Sequence, residues 1–227
     1  MLAPGALIEL WERGAARGPL ERGLLLLGAA APEIAADALA DVDLRTRDAH
    51  VFALRAVLFG MRFTGVADCP RCAVRLEFSC DGAALRPAQI TSTRNADIAV
   101  RLPNSRDLAL ALDAGAGEDD CARRLVERCC TLTDGDWDDA RYGAAEAALD
   151  AEVGAAHTQL TLCCADCGST WQSPFDICGW LWSELERHVC GLLDDVHRLA
   201  SRYGWDEARI LALHPARRAA YLARCDT

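Results

Sequence analysis

The sequence predicts an α+β fold: two small β-hairpins, flanking helices at both ends of the chain, and a mostly helical insertion between the hairpins. Three observations carry this. Apolar residues recur at helical spacing over residues 5–60 and again beyond residue 179. Around residues 61–80 and 158–175 the period changes to strand-like alternation. Each alternating stretch holds a Cys-x-x-Cys pair, Cys69/Cys72 in DCPRC and Cys164/Cys167 in CCADCG.

Taken in order, Leu7, Ile8, Trp11 and Ala15 predict a first helix, and Pro19 opens a second apolar segment, Leu20 to Ala30. A third, Arg47 to Phe59, puts Val51, Leu54, Val57 and Leu58 on one face, and Gly60 is its expected stop. From Met61 the pattern becomes that of a half-buried strand, with Val74, Leu76, Phe78 and Cys80 alternating with polar or small neighbours before the Asp81-Gly82 turn. Thr158, Leu160 and Leu162 lead into the second thiol pair, and Thr170 to Phe175 lead out of it past Gly168. The expected domains are thus an N-terminal helical region at 1–60, hairpin halves at 61–86 and 157–178, an α-rich insertion at 87–156, and C-terminal helices at 179–227.

Within the insertion, a strand is expected over Ile98 to Leu102, with Pro103-Asn104-Ser105 turning into a helix that carries Leu108, Leu110 and Leu112. A second helix is expected from Asp119 to Leu132, followed by the solvated acidic stretch Asp134 to Asp139 and a weakly helical, Ala-rich run to Val153. The C-terminal third is the most periodic part: Leu181, Leu185, Val189, Leu192, Leu193, Val196 and Leu199 form one apolar face. Gly204 should end that helix, Asp206 should cap a short successor, and Pro215 should open the last one.

Two Cys-x-x-Cys pairs in hairpin turns offer four soft ligands at the spacing that presents paired sulfurs to one tetrahedral ion. The expected site is one structural Zn2+ held by Cys69, Cys72, Cys164 and Cys167 in a four-Cys zinc ribbon; ligand softness also admits iron. Cys163 adjoins Cys164 and is an alternative ligand through a one-residue slip, although Gly168 after Cys167 favours Cys164, because such turns commonly need a left-handed residue there. A thioredoxin-like dithiol role fits less well, since that chemistry expects a helix beginning at the second thiol. The remaining cysteines, Cys80, Cys121, Cys129, Cys130, Cys178, Cys190 and Cys225, show no paired spacing.

Composition narrows the function. The net charge is −10, and arginines are interspersed with acids, which argues against a nucleic-acid partner. No apolar run approaches the roughly 20 residues of a membrane span. The segment Leu24 to Ala31 begins too late and lies among too many acids to read as a secretory leader, so a cytoplasmic protein with reduced thiols is expected despite its 12 cysteines. His50, His157, His188, His197 and His214 make no ligand pair on one helical face, and no nucleophile or phosphate-loop motif is present. Asp119-Asp120, Asp138-Asp139 and Asp194-Asp195 read as helix starts or solvated faces. Neither an enzyme nor a small-molecule substrate is expected.

The strings ERGLLLLGAAAPE, RTRDAHVFALRAVLFG, CPRCAVRLEF, RLPNSRDLALAL with CARRLVERCC, CCADCGSTW and DVHRLASRYGWDEARILALHPARRAAYL occur in an order that resembles a family of zinc-ribbon baseplate or baseplate-assembly proteins of contractile injection systems, the phage-tail-like particles. The likeness extends to baseplate proteins of contractile-tailed phages and covers most of the chain. It implies a non-catalytic structural or assembly role, with baseplate, hub or spike proteins as partners, incorporation into the particle, and exposed apolar residues on the terminal helices and the insertion as the contact surface. Ala73 departs from the pattern, standing where many such knuckles carry Gly. The alternative reading is a free-standing zinc-ribbon or dithiol redox protein of the cytoplasm.

Overall fold

The computed structural model describes residues 2–85, 97–112, 117–156 and 158–225. Pro87, where the insertion is expected to open, and His157 lie outside the described residues. The elements in chain order are α1 (Pro4–Gly14), α2 (Pro19–Ala30), α3 (Leu44–Phe59), β1 (Arg62–Asp68), β2 (Arg75–Asp81), β3 (Ile98–Val100), α4 (Ser105–Leu112), α5 (Glu118–Cys129), β4 (Cys130–Leu132), α6 (Asp139–Ala156), β5 (Gln159–Cys163), β6 (Thr170–Pro174), α7 (Ile177–Tyr203), α8 (Glu207–Leu211) and α9 (Pro215–Leu222). The class is α+β: among the described residues the strands form three antiparallel two-stranded sheets, β1–β2, β3–β4 and β5–β6. None of the described helices is long and apolar enough to cross a membrane.

The chain divides into two compact units, Met1–Ala29 with Cys178–Thr227, and Ala30–Ile177. The first joins the two ends of the sequence. Its core is drawn from Leu26 and Leu27 on α2 and from Leu181, Leu185, Val189 and Leu199 on α7, with Ile210 on α8, all buried. Each such side chain contributes about 1.5–3 kcal/mol by leaving water. At Gly14, α1 approaches α7 so closely that a Cβ would run into the Trp182 ring. The Arg22 guanidinium donates to the carbonyls of Gly14 and Ala15 at the frayed end of α1 and lies 4.8 Å over that same ring. Gly204 (φ 65°) ends α7, and Asp206 caps α8 by accepting from the Arg209 amide at 2.7 Å. His214 accepts from the Ala216 amide at the start of α9, and Arg218 on that helix pairs with Asp195 on α7 at 3.0 Å. Tyr203, Trp205 and Tyr221 pack as a mutual aromatic cluster with centroids 4.8–5.7 Å apart.

In the second unit, α3 packs with the hairpins. The reason is local: Phe52 meets Phe63 of β1 at 6.0 Å and Phe175 at 5.9 Å, while Phe63 and Phe175 meet edge-on at 5.5 Å. Arg55, buried, stacks 3.7 Å over Phe63 and donates to the carbonyls of Gly60 (2.6 Å) and Arg62 (2.8 Å), bridging helix end and strand start. Gly60 stops α3 as expected, at φ 84°.

The insertion has its own core of Ile98, Val126, Cys129, Cys130, Ala145 and Leu149. Here two sequence expectations are corrected. The helix expected from Asp119 to Leu132 ends at Cys129, and Cys130–Leu132 instead pairs with Ile98–Val100. A strand partner was within reach, and the ladder satisfies backbone groups that a longer helix end would leave open. The strand expected to reach Leu102 stops at Val100: the Arg101 amide still donates to the Cys129 carbonyl (2.9 Å), but Cys129 already belongs to α5, so no strand faces the chain beyond that point. Asn104 and Asp107 form a reciprocal capping box at the start of α4: the Asn104 amide donates to Asp107 Oδ2 (3.0 Å), and the Asp107 amide to Asn104 Oδ1 (2.9 Å). The fully buried Asp107 carboxylate also accepts from Arg101 Nη1 (2.6 Å) and Nη2 (3.0 Å) and from Arg128 Nε (2.8 Å), tying α4 to the end of α5.

Candidate metal centre

Cys69 and Cys72 lie in the loop joining β1 to β2, and Cys164 and Cys167 in the loop joining β5 to β6. The loops are built alike. In the first, the Cys69 amide donates to the Val74 carbonyl (2.9 Å) and the Ala73 amide returns to the Cys69 carbonyl (2.9 Å). In the second, Cys164 donates to Ser169 (2.8 Å) and Gly168 returns to Cys164 (2.9 Å). The bend in each places a residue in the left-handed region directly after the second cysteine: Gly168 at φ 69° and Ala73 at φ 58°. Ala73 is the one non-glycine residue with positive φ among the described residues, so the departure noted in the sequence carries a backbone cost of about 1–2 kcal/mol.

The structure brings the four sulfurs together, all within 4.8 Å of one another. Cys69 Sγ lies 3.7 Å from Cys167 Sγ, and Cys72 Sγ 3.6 Å from Cys164 Sγ. These separations are far beyond a disulfide bond of about 2.05 Å. They match the edge of a sulfur tetrahedron, which for metal–sulfur bonds of about 2.3 Å is about 3.8 Å. Cys69 and Cys164 are buried, Cys167 is half-buried and Cys72 is exposed. Cys163, the alternative ligand, is an exposed residue outside the cluster.

Burial pushes the Cys69 thiol up, but the amides of Cys72 and Arg71 outweigh it and bring the group down to about 7. At Cys167 the Ser169 amide acts downward; burial and the neighbouring sulfurs of Cys72, Cys164 and Cys69 prevail and drive it up to about 12. The contrast is what crowding does to like charges: one sulfur ionises readily, and the next cannot follow without a cation among them. The donor set therefore suits a single soft-to-borderline metal ion.

No family model, curated protein or solved structure matches the chain. Of the other chemistry-bearing residues, His188 and His197 are exposed on α7 and His214 serves as a helix cap. Cys129, Cys130 and Cys178 are buried and Cys190 is exposed. Asp138 caps α6 by accepting from the Arg141 amide at 2.7 Å, in keeping with its reading as a helix start. Among the described residues, the exposed large apolar side chains are Val57, Met61, Val66, Leu110, Leu112 and Trp137, of which Val57 lies on α3 and Leu110, Leu112 and Trp137 in the insertion. The Asp107 hub was not anticipated from sequence, although Asn104-x-x-Asp107 carries the capping-box spacing that points to it.

Proposed function

We propose that the protein is a non-enzymatic structural or assembly component of a contractile injection baseplate, its hairpins clasped by one structural zinc ion in a zinc ribbon. The observation that carries the metal reading is the meeting of four thiol sulfurs, supplied by loops more than ninety residues apart, within 4.8 Å. Cys69, Cys72, Cys164 and Cys167 would hold the ion, which supplies coordination energy to the fold and leaves no open position for a substrate. The baseplate reading is supported by the resemblance of the sequence blocks, above all the tail from Asp195 to Leu222, and agrees with the acidic charge.

The test is elemental analysis of protein purified from its producing cell, with mass spectrometry of the proteins that accompany it and of the assembled particles. About one zinc per chain together with particle proteins is the expected result. Metal-free protein of full stability overturns the clasp, and the absence of particle proteins from both lysate and particle fractions overturns the baseplate role. Presence in finished particles identifies a subunit; presence only in lysate complexes identifies an assembly factor. Turnover of a dithiol substrate that is lost in Cys69→Ser replaces the proposal with the redox reading.

A further inference from the structure

The ladder phase of each hairpin determines which backbone groups it leaves unpaired. In antiparallel pairs, opposed residues alternate between those that exchange hydrogen bonds and those whose N–H and C=O point to the outer edges. In the first hairpin the bonds Gly82 N to Met61 O (2.7 Å) and Cys69 N to Val74 O (2.9 Å) set the phase. Phe63↔Cys80, Gly65↔Phe78 and Ala67↔Leu76 are then the bonded pairs, and Glu77 and Ser79 turn their backbone groups outward along the outer edge of β2, which pairs with no other strand among the described residues. In the second hairpin, Cys164 N to Ser169 O (2.8 Å) and Phe175 N to Thr158 O (3.0 Å) make Leu160↔Ser173 and Leu162↔Trp171 the bonded pairs. Thr161 and Cys163 turn outward along β5.

These two edges face one cleft. It is lined by the consecutive residues Leu76 to Cys80 of β2, with Ala67 of β1 behind them, and by Leu160 to Cys163 of β5; the unbroken runs place it along the β2 and β5 edges, with Ala67 extending it onto the first hairpin. Its volume, about 290 Å³, is at the bottom of the range for small-molecule sites. The sheets on either side remain two-stranded, so β2 and β5 do not pair with each other. By contrast the outer edge of β6 is blunted by Pro174, whose missing N–H falls on that side because Gln159↔Pro174 is a non-bonded pair. Glu77 is the one charged residue lining the cleft, and it has no ion-pair partner among the described residues.

We propose that this cleft is a strand-addition site: an extended peptide segment of about five residues lies between β2 and β5 and pairs with the backbone of Glu77 and Ser79 on one side and of Thr161 and Cys163 on the other. The segment is apolar at the alternate positions that meet Leu76, Phe78, Leu160 and Leu162, and carries a cation opposite Glu77. The inference rests on hairpin register and goes beyond the baseplate reading, which can fail without affecting it.

The test uses isotopically labelled protein as purified and the blocked pentapeptide acetyl-Val-Lys-Val-Thr-Val-amide, followed by amide shifts and hydrogen exchange. Peptide should shift the amides of Glu77, Ser79, Thr161 and Cys163 and slow their exchange about tenfold or more. An analogue N-methylated at alternate residues should not bind. Glu77→Lys should weaken binding about fivefold, the size of a lost cross-strand charge pair, while the charge-matched Glu12→Lys leaves it unchanged. Amides already protected without peptide, or shifts confined to other residues, overturn the proposal. Protection without peptide that grows with protein concentration also overturns it and assigns the cleft to a second copy of the chain.

Discussion

Replacing Asp107 by asparagine tests whether one buried carboxylate organises the insertion. The substitution keeps the side-chain shape and an acceptor for the Asn104 amide but removes the charge that faces Arg101 and Arg128. Burial pushes the Asp107 pKa up; the bonds from Arg101, the Asn104 amide and Arg128 outweigh it and hold the group at about 2. An ordinary aspartate titrates near 3.9, so the shift is about two units, worth about 2 kcal/mol of folding free energy at neutral pH. The Asp107 side chain is 1% exposed, so little of this is screened on its side, although both arginines reach solvent. Because the folded pKa is the lower one, the contribution is complete above about pH 4, declines as pH falls toward 2, and is gone below that. Urea unfolding followed by exchange of the β3 and α4 amides should therefore show Asp107→Asn less stable by about 2 kcal/mol at pH 6, with the gap narrowing as the pH is lowered below about 4. The comparison runs down to the lowest pH at which both proteins still give a folded baseline, because acid also protonates the thiol cluster that both share. A loss under about 0.5 kcal/mol at pH 6, or one that does not narrow as the pH falls below about 4, would refute the argument.

Cys72→Ser or Cys167→Ser should leave the protein heat-labile or insoluble and metal-poor by elemental analysis, and a strong chelator should reproduce this in the wild type, because metal-binding free energy of order 10 kcal/mol is shared with folding. Ala73→Gly should raise the unfolding free energy by up to about 1 kcal/mol, with the relief of left-handed strain partly offset by unfolded-state entropy; Gly168→Ala should cost about the same, and calorimetry on the pair distinguishes backbone strain from lost contacts, since no atom lies within 4 Å of a Cβ at Gly168. Gly14→Ala should destabilise by about 1–3 kcal/mol through the collision with Trp182, whereas Gly5→Ala, with open space around it, should be neutral in the same urea titration.

The parts legible in the sequence were those written in local chemistry. Gly60, Gly168 and Gly204 marked left-handed positions, Asp206 and Pro215 marked helix starts, and the two thiol pairs marked the loops whose sulfurs meet. What was not legible depends on partners distant in sequence. Cys130–Leu132 reads as the last turn of a helix until Ile98–Val100 is beside it. The packing of α3 was equally hidden, because its apolar face does not announce Phe63 and Phe175 as its partners. By contrast Cys164, preferred over Cys163 in the sequence because of Gly168, is the one in the cluster: it opens the loop, while Cys163 is still in β5.

The matched loops also have a consequence for biosynthesis. Their partner sulfurs are 92 and 98 positions apart, so at about 5–20 residues per second a ribosome needs about 5–20 s to deliver the second pair after the first. Throughout that interval the nascent chain carries half a chelate, two thiols with no counterpart and a hairpin edge with nothing beside it. If the cluster takes up the proposed ion, metal supply and oxidant exposure during translation bear on yield, and a transient protector of the first knuckle would act in this window, before the second loop has left the exit tunnel.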